Sequence, residues 1–122
     1  MRFPGWFAIL IGVAMVAQWA MFLATGSVPE LKTEPVRIGF HIAGELLTAL
    51  LLIISGGGAL GSCRWARPLL LVALGMLAYT SIVSPGYFAQ RGEAVFVPMF
   101  GGILCFTCAA IVSLFRHSTD AD

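Results

Sequence analysis

The sequence predicts an all-α protein, a four-transmembrane-helix antiparallel bundle. Three observations predict it. Of the 122 residues, 59% are hydrophobic and 11% are charged, with a mean hydropathy of +0.94. That is too little charge to clothe a soluble domain. Four apolar runs stand out, at about 6–25, 36–60, 68–86 and 94–115, each at or near the ~20 residues a bilayer core requires. Short polar segments separate them, and short connections make neighbouring helices antiparallel. Residues 1–122 therefore read as a single integral membrane domain.

The first run follows Pro4-Gly5 and ends near Thr25. Arg2 ahead of it and Ala24, Gly26 and Ser27 behind it are features of a secretory signal, but the apolar part exceeds a usual signal core, so it reads as a true span. Residues 25–35 are polar and carry two prolines, hence a loop. Pro35 and Pro68 stand at the start of the second and third helices, where a missing N–H does no harm. The third run is the shortest, and Ser84-Pro85-Gly86 is expected to end or kink it. Pro98 falls in the first turns of the fourth.

Four spans place both termini on one side, together with the loop at 61–67. That side carries Arg2, Arg64, Arg67 and Arg116; the other carries Lys32, Arg37 and Arg91, diluted by Glu30, Glu34 and Glu93. The distribution predicts cytoplasmic termini in a plasma (inner) membrane. With a net charge of +1 and no basic cluster, nucleic acid is not an expected partner. Membrane lipid is.

His41 and Glu45 lie one turn apart within the second span, on a stripe continued by Thr48 and Leu52. Ionisable groups in hydrocarbon are costly and face a bundle interior, a cavity or each other, which makes them functional-site candidates. The functional reading is an acid/base pair in which the carboxyl exchanges a proton with the nearby imidazole. The structural reading is a hydrogen-bond clasp that pins helices together. At a rise of ~1.5 Å per residue from the outer ends, His41 lies ~7 Å deep, Glu45 ~13 Å, and Gln18 and Tyr79 ~10 Å. Three helices thus bring polar residues to one leaflet. Gln18 is placed to hydrogen-bond the pair or a ligand head group, and Tyr79 to orient a ligand. Trp19 and Tyr87 are equally suited to anchoring at the interface. In the outer loop, Arg91 and Glu93 read either as a lid or as a solvated pair. Of the hydroxyls on the third helix, Thr80, Ser81 and Ser84 are expected to satisfy backbone carbonyls.

No cofactor or metal is expected. Zinc needs a further strong ligand at the depth of His41 and Glu45, and His117 lies at the opposite end. Cys105 and Cys108 form a CxxC in the fourth span, a placement shared with vitamin K epoxide reductase-type enzymes. Those enzymes also use an outer-loop cysteine pair, which this chain lacks. Near mid-bilayer a thiolate is hard to form. The cysteines therefore read, with Gly101, as a small-residue stripe for close helix contact. Gly56-Gly57-Gly58 is expected to loosen the second helix or to allow close approach.

Three stretches resemble a family of small, uncharacterised prokaryotic four-helix membrane proteins. They are Phe40-His-Ile-Ala-Gly-Glu45 with Leu46-Leu-Thr48, then Leu74-Gly-Met-Leu-Ala-Tyr79, then residues 84–93 from Ser84-Pro-Gly-Tyr87 onward. The resemblance implies the architecture and singles out these residues, without an activity. Length, helix count and Gly86-Tyr-Phe-Ala-Gln-Arg91 also give a partial likeness to small multidrug resistance exporters, whose essential glutamate is in the first helix, where this chain offers Gln18. His-x-x-x-Glu is similar to the arrangement in sterol-isomerase-type bundles, a likeness of spacing alone.

The expectation is a pocket in the outer-leaflet half that binds or acts on a small amphipathic or lipid-like molecule. His41 and Glu45 would be its reactive pair, and Gln18, Thr48, Tyr79, Tyr87 and Arg91 its ligand contacts. The alternatives are a proton-coupled small-molecule transporter protomer using Glu45, and a non-catalytic scaffolding subunit. A homodimer would enlarge the small interior of one bundle.

Overall fold

The computed structural model describes all residues except 1, 27, 29, 91, 93, 94 and 122, and it leaves undescribed the side chains of 2, 30, 87–89 and 117–121. Five helices follow one another: α1 (Arg2–Ala24), α2 (Glu30–Thr33), α3 (Pro35–Leu60), α4 (Ala66–Gln90) and α5 (Phe96–Ala121). No strand occurs among the described residues. The four long helices are each long and apolar enough to cross a membrane. At ~1.5 Å per residue, even α1 reaches past the ~30 Å of a hydrocarbon core.

Local chemistry sets the helix ends. Thr25 closes α1 by returning its N–H and its hydroxyl to the Met21 carbonyl, at 2.9 and 2.8 Å. Gly26 follows at φ +68°, a left-handed turn that glycine adopts without a steric cost. Pro35 opens α3, where its fixed φ suits a first turn. At the other end of α3, Cys63 N–H bonds the Gly58 carbonyl at 2.9 Å while Ser62 turns left-handed at φ +60°. The chain then re-enters a helix at Ala66. Two features differ from the sequence reading. The segment between the first two spans contains α2, whose Leu31 N–H returns to the Val28 carbonyl at 3.2 Å. And α4 does not stop at Ser84-Pro85-Gly86; Pro85 sits inside it and the helix runs on to Gln90. In hydrocarbon no water can take over the backbone groups, so a helix leaves the fewest of them unpaired even with a proline inside it.

Contacts run α1 to α3, α3 to α4 and α4 to α5, with α1 touching α5 more sparingly. The pairing is antiparallel. A Cβ built on Gly12 would stand 2.8 Å from the Ala49 carbonyl oxygen, and one on Gly56 would stand 2.7 Å from that of Gly5. The α1–α3 seam therefore depends on glycines, the small-residue packing that drives helix association in lipid. Gly56 and Gly58 thus serve close approach. The stripe of Gly101, Cys105 and Cys108 does not: all three are exposed, and no atom lies within 4 Å of a Cβ built on Gly101. It lies on an outer face of α5.

Leu52, Leu70, Leu74, Leu77 and Leu114 form the main core with the alanines between them. A second cluster, of Trp19, Val28, Ile38 and Ile42, closes the end that carries α2. Between the two lies the carboxyl of Glu45.

Candidate functional site

Glu45 faces inward because its stripe is the core stripe of α3: Ile38, Ile42, Ala49 and Leu52, spaced three and four residues apart, are all buried around it. The carboxyl is 9% exposed. Burying an acid requires partners, and two other helices provide them. From α1, the Trp19 indole N–H donates to Oε2 at 2.7 Å. From α4, the Thr80 and Ser84 hydroxyls donate to Oε1, Ser84 at 3.0 Å. Those hydroxyls are also 2.9 Å from each other. Two hydroxyl protons serve three oxygen–oxygen contacts, so this corner can exchange partners without moving the backbone.

His41, one turn before Glu45, brings Nε2 to 3.8 Å from Oε1, close enough for an ion pair when the ring is protonated. Its ring meets Trp19 edge to face, with centroids 5.8 Å apart at 71°. Trp19 makes a second edge contact with Phe22, also at 5.8 Å. The indole is held on both sides, so packing aims its N–H at the carboxyl.

Two clefts meet at this acid. The larger, of about 570 Å³, runs between α3 and α4, with His41, Glu45, Thr48, Tyr79 and Thr80 on its walls. Gly44 on α3 and Gly75 on α4 make room for it: a Cβ at either would have no atom within 4 Å. At its rim Phe40 is 75% exposed and Tyr79 69%, so the cleft opens to the outside of the bundle. The smaller, of about 250 Å³, lies among α1, α4 and α5, with Glu45 of α3 on its wall. Gln18 lines it opposite Met99, Phe100 and Ile103. Glu45 and Thr80 wall both clefts.

The sequence candidates separate accordingly. His41, Glu45, Thr48 and Tyr79 share the α3–α4 cleft, while Gln18 lines the second cleft, which Glu45 also walls. Thr48 lies on the Glu45 stripe, but its hydroxyl donates to the Gly44 carbonyl at 2.8 Å. Arg91, and the side chain of Tyr87, lie outside the described residues. Sequence reasoning missed two partners of the acid, Thr80 and Ser84, and left the third, Trp19, open. Trp19 is buried at 4% and does not point outward as an interfacial anchor would. Thr80 and Ser84 bond the carboxylate, whereas Thr107 and Ser55 do return to backbone carbonyls. The missed signal was the pair of hydroxyls at i and i+4 on α4, at the depth of Glu45.

Among the described residues, no three His, Cys, Asp or Glu come together as metal ligands would. Cys105 and Cys108 are free thiols on the outer face of α5.

No curated protein and no solved structure matches the chain, small multidrug resistance exporters included. What does match, over residues 1–122, is the family described as "Domain of unknown function (DUF8058)", and the chain belongs to that family.

Proposed function

We propose that this membrane protein holds the polar head of a small amphipathic molecule in the α3–α4 cleft, with Glu45 as acceptor and His41 as its proton-exchanging neighbour. One observation carries the reading. A buried carboxyl, aimed by donors from two other helices, lies on the wall of a cleft that a glycine on each helix keeps open toward the bundle exterior. A clasp alone needs the donors but not the space. The positive-inside distribution supports cytoplasmic termini, which puts this cleft in the outer leaflet of the plasma membrane.

The test is photocrosslinking with a long-chain alkyl diazirine carrying a hydroxyl head, in vesicles containing the full protein. The reading expects adducts on cleft residues Val72 and Met76, lost in both His41→Ala and Glu45→Gln. Adducts spread evenly over exposed Leu10 and Phe106, and unchanged in those variants, would sink it.

A second reading has its own supporting observation, that Glu45 and Thr80 wall both clefts. An acid reachable from two sides suits a proton-coupled transporter protomer, in which Glu45 alternates between proton and cargo. That reading expects Glu45→Gln to fold normally and to lose coupled flux in proteoliposomes.

A further inference from the structure

Resting on the α3–α4 cleft reading, we infer that its occupant is a membrane-dissolved alcohol: one hydroxyl on a mostly hydrocarbon body, with no charged group. Access limits the choice first. The rim residues Phe40, Val72, Tyr79 and Val83 are exposed on the outside of a membrane helix pair, so an entrant arrives from the hydrocarbon rather than from water.

The head must then suit Glu45. A carboxylate offers about four acceptor positions. Trp19, Thr80 and Ser84 occupy up to three of them. What remains suits a single donor. An ammonium head brings three donors and a charge, and a charge is costly to carry in from hydrocarbon. A phosphate or carboxylate head meets the opposite difficulty. No Lys or Arg lies among the described residues of the cleft wall, and an anion beside Glu45 would be a like charge in a medium of low dielectric. A hydroxyl donates once and carries no charge.

The body follows from the walls beyond the head site. Val72, Gly75, Met76 and Val83 offer no polar side chain, so the remainder of the ligand is hydrocarbon. Gly44 and Gly75 line the cleft from its two helices, with open space where a Cβ would stand on either. A side chain at either position would occupy the room the ligand needs.

The experiment uses the full chain in phosphatidylcholine vesicles, with Trp6→Phe and Trp65→Phe so that Trp19 is the sole indole. Dodecanol, dodecylamine and dodecanoate are titrated against Trp19 emission. Dodecanol is expected to give a saturable change, with the other two about tenfold weaker, the penalty of one unpaired polar group. Gly75→Leu, which leaves every Glu45 hydrogen bond in place, is expected to abolish the response. An amine or carboxylate binding as tightly as the alcohol overturns the alcohol assignment and leaves the cleft reading standing. No saturable response to any of the three, or responses unchanged in both Gly75→Leu and Glu45→Gln, overturns the two together.

Discussion

Glu45 receives donors from Trp19 on α1 and from Thr80 and Ser84 on α4. A hydrogen bond to a charged group contributes about 1.5–3 kcal/mol in soluble proteins. Inside membranes, measured interhelical bonds average nearer ~0.6 kcal/mol, because the separated helices find other partners. The membrane figure applies here, raised by the packing of a 4% exposed indole. Trp19→Phe should therefore cost roughly 1–2 kcal/mol of reversible unfolding free energy in mixed micelles. The nearness of His41 to Glu45 was legible in the sequence, since an acid in an apolar run stands out. Its partners were not. Thr, Ser and Trp are common in membrane helices and usually have ordinary duties, so only the packing of three helices shows which of them turn to the carboxyl.

At the scale of the element, glycines do two opposite things. Gly12 lies under the Ala49 carbonyl, whereas Gly75 faces open space. Gly12→Leu should force α1 from α3 and destabilise the fold by roughly 1–3 kcal/mol or more, the usual cost of overpacking. Gly75→Leu should keep or raise stability, since a helical glycine costs about 1 kcal/mol against a better helix former. Thermal unfolding of the pair in one detergent checks both, and equal losses would contradict the assignment. Periodicity cannot separate these glycines, because what surrounds them belongs to the neighbouring helix. Pro85 makes a related point. It predicted a stop or a kink; the helix does not stop, and α4 continues to Gln90, because a helix in lipid has no alternative partner for its backbone. Pro85 has no N–H to donate to the Ser81 carbonyl one turn back, and the buried Ser81 hydroxyl has no partner either. Pro85→Ala should stabilise the protein by about 1–3 kcal/mol, read from the same unfolding transition; no gain would mean that the helix already compensates.

For the whole molecule, the four-helix architecture was legible because a bilayer permits few solutions to 20-residue apolar runs. Orientation and contact faces were harder to read. The small-residue stripe of α5 was expected to pack and instead lies outside, since small residues suit a seam but do not choose one. Its cysteines provide a test of depth. Cys63 sits in the α3–α4 turn, and Cys105 and Cys108 on an exposed face within a span. In sealed right-side-out vesicles, a membrane-impermeant maleimide should leave all three unmodified until permeabilisation, and then label Cys63 alone. Labelling of Cys63 before permeabilisation would reverse the proposed orientation. The convergence of α1, α3 and α4 on one carboxyl is the claim on which the rest depends, and indole N–H resonances measure it most directly. With the three signals assigned by Trp→Phe substitution, Glu45→Gln should shift the Trp19 resonance and leave Trp6 and Trp65 in place. A Trp19 signal unmoved by that change would mean that the indole and the acid do not meet.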